Sequence, residues 1–236
     1  MPIKWETTHV EIPAGRVTIT HWKRHDPHKL LAALSDTSRE AKSLSLSRVP
    51  NPRVYRHKFG SLELASRKMD YKENSAHEEP NTLFSHLNEL VDKRVSIVET
   101  PVAKVVHPDG TVQVVTIWKK GTQPLTTFLQ SNLVHKTDKL NACFSAMKLL
   151  AKLHAAGYVH GHPRSDNFVV DSQSKVHLVD YVRLCKLEES ANIIDSTQLS
   201  RSLTDDALSR ADLTAAYDKA LALYKARFEK RAHSSK

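Results

Sequence analysis

The sequence predicts an α+β protein whose strands gather in the first half and whose longer helices gather in the second. Three observations carry this reading. Residues 1–120 alternate short β-prone runs with turn residues, and Pro108-Asp109-Gly110 holds the Asp-Gly signature of a hairpin. From Asp138 to Ala156 apolar residues recur at three- and four-residue steps, through Phe144, Met147, Leu150, Ala151 and His154, which is the spacing of one helix face. Beyond that helix two β-rich runs, Phe168 to Val170 and Val176 to Val179, are joined by the polar turn Asp171-Ser172-Gln173-Ser174-Lys175.

Taken in order, Thr8 to Ile12 and Arg16 to Trp22 read as strands around the turn Pro13-Ala14-Gly15. Asp26 is placed to cap an amphipathic helix from Pro27 to about Ser45, with Leu30, Leu31, Leu34, Ala41 and Leu44 as its apolar residues. Val49-Pro50-Asn51-Pro52 breaks it, because a residue before proline is pushed into extended backbone. Two β-prone runs surround Gly60 between Arg53 and Tyr71. Asn81 is expected to cap a helix that turns Leu83, Phe84, Leu87, Leu90 and Val91 to one side. Val95 to Val98, Ala103 to His107 and Thr111 to Trp118 are expected strands, and a polar turn then leads into an apolar segment from Leu125 to Leu133. Gly157 ends the long helix, since glycine takes the left-handed C-terminal conformation without a Cβ penalty. A short helix holding Ile193, Ile194, Leu199 and Leu203, a longer one from Leu208 to Phe228, and a basic tail from Lys225 complete the chain.

At 236 residues the chain suits one domain, in one lobe or two, with a substantial core. No apolar run approaches membrane-spanning length. Met1-Pro2-Ile3-Lys4-Trp5-Glu6 lacks the hydrophobic region of a secretory signal, so the expected compartment is the cytoplasm. Cys143 and Cys185 stand far apart with no metal-type pairing, which favours reduced thiols over a disulfide. The formal charge of +9 attracts polyanions, whether a nucleotide, an acidic protein or RNA. Of 14 histidines, only His160 and His162 approach metal-ligand spacing, and two histidines do not close a zinc site.

Inside this framework lies His160-Gly161-His162-Pro163-Arg164-Ser165-Asp166-Asn167, and thirteen residues after Asn167 the hairpin ends in Asp180-Tyr181-Val182. The hairpin returns the chain towards the loop, so the Asn167 amide and the Asp180 carboxylate are expected to converge where a divalent ion could sit. Hard cations take such oxygen ligands.

This order and spacing resembles the catalytic core of the protein-kinase-like superfamily. There the loop reads His-Arg-Asp or His-Gly-Asp, an Asn follows the Asp by five positions, and Asp-Phe-Gly ends the next hairpin. Here His160-Gly161-His162 occupies the first motif, Asn167 follows His162 by five, and Asp180-Tyr181-Val182 occupies the last. Two departures stand out: a His replaces the catalytic Asp, and only the Asp of the last motif remains. The resemblance covers roughly residues 53–205. With only 56 residues after Asp180, the chain is most similar to minimal, atypical members: RIO-like kinases, the small tRNA-modification-complex kinase and lipopolysaccharide kinases.

The resemblance implies a two-lobed kinase-like fold. Residues 1–120 would form a β-rich N-lobe with helices near 27–45 and 81–93. Residues 121–236 would form a reduced helical C-lobe with a catalytic loop at 158–167 and a metal-binding hairpin at 168–182. It implies ATP and magnesium as cofactors and transfer of phosphate to a hydroxyl of a protein or small molecule. Asn167 and Asp180 would hold the metal, and Arg164 would neutralise charge on the transferred group. His162 would serve as base, with Asp166 as a second candidate. The phosphate-binding cation would be Lys68 by chemistry or Arg67 by its spacing from Ala65, with Lys68 preferred. Glu89 would pair with it, with Glu78 and Glu79 as rivals. The backbone from Ile117 to Gly121, including Lys119, would form the base-binding edge. Asp195 would tie down the catalytic-loop backbone. Only Gly15 is present where a phosphate-covering glycine loop would need several, which together with the altered motifs implies the alternative: a pseudokinase that binds nucleotide or a partner without turnover.

Overall fold

A computed structural model describes residues 4–35, 54–69, 80–93, 95, 100–118, 121–188, 190–204 and 208–234. The fold is α+β, with antiparallel sheets throughout. Two compact units divide the chain, the first built from Met1–Asp92 and Glu99–Lys120, the second from Lys93–Val98 and Gly121–Lys236.

The first unit is a six-stranded sheet. Its strands are β1 (Trp5–Ile12), β2 (Gly15–Trp22), β3 (Val54–Phe59), β4 (Leu62–Met69), β5 (Pro101–Val106) and β6 (Val112–Ile117), in the order β1-β2-β5-β6-β4-β3. Cross-strand partners share a face, so register sorts every side chain. Ile19 pairs with Val105, Val105 with Gln113, and Gln113 with Lys68, which puts Lys68 on the face of Val17, Leu64 and Val115. Those residues form the core beneath helix α1 (Pro27–Ser35), which contributes Leu30 and Leu34. The opposite row runs Thr20, Lys104, Val114, Arg67. Helix α2 (Pro80–Asp92) covers that face, with the Lys104 ammonium 5.8 Å from the Phe84 ring.

Local chemistry explains the helix ends. Asp26 Oδ1 accepts from the backbone N–H groups of His28 and Lys29, at 2.9 and 3.2 Å, and so caps α1 as expected. Residues 36–45, the rest of the expected helix, lie outside the described residues. Helix α2 starts at Pro80 rather than after Asn81, because proline suits the first helical position, where its missing N–H has no partner to lose. Of the expected strand Val95 to Val98 only Val95 is described, and it is in no strand.

The second unit is built on helix α4 (Lys136–Ala155), which packs against α6 (Arg210–Ser234) and against strand β10 (Val176–Leu178). Strand β9 (Phe168–Val170) pairs with β10 on one side and with the short β7 (Gln123–Pro124) on the other. Two further short strands, β8 (Tyr158–Val159) and β11 (Cys185–Lys186), pair with each other. Helices α3 (Leu125–Gln130) and α5 (Ala191–Leu203) complete the unit. Helix α3 is shorter than the apolar run suggests, and Leu133 beyond it is exposed. Cys143 and Cys185 form no disulfide.

Inside the first unit a polar chain crosses the core. Gln113 Nε2 donates to Ser66 Oγ at 2.8 Å, Ser66 Oγ meets His57 Nε2 at 2.7 Å, and His57 Nδ1 meets the Ala33 carbonyl at 3.1 Å. A carbonyl only accepts, so Nδ1 carries the proton and Nε2 takes one from the serine. The chain ties α1 to β3, β4 and β6. Ser66→Ala strands a buried donor and a buried acceptor, and it should lower the unfolding free energy by about 1–3 kcal/mol in urea melts. A loss under 0.5 kcal/mol would mean that the network adds little to stability.

Candidate functional site

The loop between β8 and β9 is fixed by backbone hydrogen bonds and by one helix. Helix α4 ends at Ala155, and Gly157, with φ +87°, turns the chain into β8. His160 follows, fully buried. Its backbone N–H donates to Asp195 Oδ2 at 2.7 Å, and the Gly161 N–H reaches the same oxygen at 3.4 Å. His154 Nε2 lies 3.1 Å from that oxygen, and Nδ1 of His154 faces the Tyr217 hydroxyl. Burial pushes the Tyr217 phenol up to about 12. It keeps its proton, donates to Nδ1, and leaves the Nε2 proton for Asp195. One carboxylate oxygen on α5 thereby joins α4, the loop and, through His154, α6.

Asp195 is not alone. Gln198 Nε2 lies 3.2 Å from His162 Nδ1, and Ser202 Oγ accepts from the Ser165 N–H at 3.0 Å. Positions 195, 198 and 202 follow the i, i+3, i+7 pattern of one helix face. Gln198 and Ser202 were not anticipated from sequence; the i, i+3, i+7 spacing was present, but nothing local marked its target.

Within the loop, Asn167 Nδ2 donates to the His162 carbonyl at 2.8 Å, which leaves its amide oxygen directed away from that carbonyl. The Val179 N–H donates to the Asn167 carbonyl at 2.9 Å, and His160 Nε2 donates to the Val179 carbonyl at 3.0 Å. The residue after Val179 is Asp180, so the hairpin brings its backbone beside the loop that holds Asn167. Asp180 adopts a left-handed conformation, φ +66° and ψ +60°, and opens a 3₁₀ turn over Tyr181–Arg183. Asp and Asn tolerate this region better than most residues. Tyr181 is fully buried beside His160, and its hydroxyl donates to the Leu178 carbonyl at 2.8 Å. Gly161 has φ +77°, and a Cβ there would lie 2.7 Å from the Arg183 carbonyl oxygen. No other residue fits that approach.

The remaining expected site residues divide. His162 is half-buried, and burial first, then the Arg183 and Arg164 guanidiniums and His160, hold its pKa below the ordinary histidine value against the opposing pull of Asp166. Arg164 is exposed, with Nε 3.7 Å from Asp166 Oδ1. Asp166 is buried, and Oδ1 has no hydrogen-bond partner. An oxygen sealed from solvent is badly placed to take a substrate proton; Asp166 reads as the counter-charge of Arg164. The Lys68 ammonium is 3.8 Å from Asp109 at the β5–β6 turn, and Lys68 stands on the α1 face of the sheet. Arg67 stands on the face that α2 covers, the helix that carries the half-buried Glu89. The Ile117 N–H donates to the Thr100 carbonyl at 2.9 Å and the Trp118 N–H to the Glu63 carbonyl at 2.8 Å, so neither is available to a base. Lys119, Glu78 and Glu79 lie outside the described residues. The turn at Gly15 packs on Pro108 at the edge of the sheet.

No protein-family model and no curated protein matches the chain. What the site can do rests on its geometry. Among the described residues no three His, Cys, Asp or Glu gather as a metal cage.

Two outcomes follow. Asp195→Ala leaves the His160 N–H and the His154 ring N–H buried without an acceptor, and should cost about 3–5 kcal/mol in denaturant unfolding, with Asp195→Asn recovering part of it. The second is a pH dependence. The folded pKa of His162 is lowered, so below the unfolded value of about 6.5 the unfolded chain binds the proton more readily and stability falls as pH drops. His25, lowered mainly by burial, contributes in the same direction. Between pH 7.5 and 5, His162→Gln should therefore lose less of its melting temperature than wild type; equal losses would remove His162 from the account.

Proposed function

We propose that the chain is a two-lobed, atypical protein-kinase-like phosphotransferase that uses magnesium-ATP. The observation that carries this reading is the clasp around the loop: Asn167 Nδ2 on the His162 carbonyl, Val179 N–H on the Asn167 carbonyl, and Asp195 on the His160 and Gly161 amides. Asp180 adds a left-handed backbone at the head of the turn whose Arg183 carbonyl Gly161 packs against.

In this reading Asn167 and Asp180 hold magnesium, which supplies charge neutralisation on the phosphates when bound. Arg164, exposed at the loop, adds a guanidinium for the transferred group. An acceptor hydroxyl attacks the γ-phosphorus, the bond to the bridging oxygen of ADP breaks, and the hydroxyl proton passes to His162. A lowered pKa keeps that ring neutral at pH 7, as a base must be. Gln198 sets which ring nitrogen can accept: with its amide nitrogen towards Nδ1, as it stands, the neutral ring carries its proton on Nε2, so the transfer to Nε2 requires the amide turned over, its oxygen receiving Nδ1–H.

A second reading, a nucleotide-binding pseudokinase, is favoured by the sealed Asp166 oxygen and by the pairing of Lys68 with Asp109. One experiment separates the two. Magnesium-ATP should raise the melting temperature by mass action, and Asp180→Asn, which keeps the left-handed backbone, should abolish the magnesium-dependent part. With γ-labelled ATP and cell extract, wild type should transfer label, and His162→Ala should be on the order of 10²- to 10⁴-fold slower. A melting curve indifferent to millimolar magnesium-ATP would defeat both readings. A shift without any label transfer would leave the pseudokinase.

A further inference from the structure

One guanidinium stands beside the loop without holding it. Arg183 closes the 3₁₀ turn that follows Asp180, and a Cβ at Gly161 would lie 2.7 Å from the Arg183 carbonyl oxygen and 2.9 Å from the Arg183 Cβ. The Arg183 side chain therefore leaves the backbone against the residue that precedes His162. It is half-buried, and among the described residues no carboxylate or carbonyl lies in hydrogen-bonding or ion-pair range of its guanidinium. Arg164, two residues beyond His162, is placed differently: Asp166 Oδ1 stands 3.7 Å from its Nε, and its side chain is 50% exposed. The other polar groups at the loop are neutral or already bonded. Gln198 brings its amide to His162 Nδ1 at 3.2 Å, Asn167 Nδ2 donates to the His162 carbonyl, and Asp195 receives the His160 and Gly161 amides.

A guanidinium is a permanent charge, and partial burial takes away part of its water. Charges so placed are met by a partner as a rule, and the described residues supply none. The partner that fits is an anion brought by whatever the loop binds. Under the phosphotransferase reading the group that approaches His162 is the acceptor hydroxyl, so the anion stands on the acceptor, near that hydroxyl. The planar fork of Arg grips carboxylate and phosphate alike, but the two differ in charge. A phosphate monoester has three strong acceptor oxygens and a charge of about −1.5 to −2 at pH 7, which answers Arg183 together with the charge that Asp166, at 3.7 Å, leaves on Arg164. A carboxylate has two oxygens and a single charge. We propose that Arg183 binds a phosphate monoester carried by the acceptor, so that the loop takes an alcohol that is already phosphorylated. The acceptor class rests on the phosphotransferase reading; the phosphate site itself needs neither ATP nor magnesium.

The test has two arms, both on the full chain. In the first, without nucleotide or magnesium, inorganic phosphate and acetate are titrated calorimetrically at matched ionic strength. Phosphate should bind about tenfold more tightly than acetate, and Arg183→Gln should weaken it on the order of tenfold, the loss of a hydrogen bond to a charged group. Arg183→Lys keeps the charge without the fork and should weaken it about threefold; it carries the comparison if the Gln variant does not fold. Lys136→Gln with Lys139→Gln, at the opposite end of α4, removes two charges and should change the affinity by less than about twofold, because distant surface charges are screened. In the second arm, cell extract is treated with phosphatase, cleared of the enzyme and offered γ-labelled ATP, magnesium and wild-type protein; it should accept far less label than mock-treated extract. No phosphate binding, equal binding of phosphate and acetate, or undiminished binding by the Arg183 variants would overturn the phosphate site, whatever the activity of the loop. Full labelling of the dephosphorylated extract would overturn the acceptor class and leave the phosphotransferase reading standing. No label in the mock-treated extract would count against that reading alone, and the first arm would then decide the site.

Discussion

A single carboxylate oxygen organises the second unit. Asp195 Oδ2 receives the His160 and Gly161 amides and faces the ring of His154, itself hydrogen-bonded to Tyr217. None of these partners is near Asp195 in sequence, and His154, His160 and Tyr217 are buried. Removing water from so many donors is unfavourable unless an acceptor meets them, and a carboxylate with its several lone-pair sites can meet them together. Helix α5 therefore sits where its face at 195, 198 and 202 can reach the loop. The position of the loop then fixes where β9 begins, and the hairpin that follows returns Val179 to His160 and Asn167.

The first unit obeys a different constraint, register. Each residue step along β4 moves a side chain to the other face, so Arg67 and Lys68 meet separate environments despite being neighbours. Lys68 is exposed and drawn to Asp109, whereas Arg67 shares the row of Val114 and Lys104 under α2. The run Ser61 to Met69 announces a strand but says little about which face is which. Only the pairing with β6 decides it, and that pairing joins residues nearly fifty positions apart.

Much of the architecture was legible because it is written in local patterns. The Asp26 cap, the Asp-Gly hairpin, the Gly157 stop and the apolar face of α4 each depend on residues within a turn or two of one another. Asp195 was expected only because the resemblance implies an acid that ties down the loop backbone. Gln198 and Ser202 could not be anticipated, because a Gln or Ser on a helix is ordinary until its partner is known. The histidines were the least legible group. Among the described residues His21, His57, His86, His154, His160 and His177 are buried, and His57, His154 and His160 each bond through both ring nitrogens to parts of the chain that sequence does not place together.

The His at position 162 acquires its meaning from this arrangement. What the loop requires of residue 162 is its backbone: the carbonyl accepts from Asn167, and the N–H points at His160 Nδ1, at 3.4 Å. Neither interaction consults the side chain. A carboxylate in place of the imidazole would leave these two backbone bonds as they are. What the side chain sets is the electrostatics. A carboxylate there would pair with Arg164 and Arg183, while a histidine is pushed towards its neutral form by burial and then by those same guanidiniums. The loop's geometry and its proton chemistry are therefore separable, the first set by α5 and Asn167, the second by the ring of His162 and the amide of Gln198 that faces it.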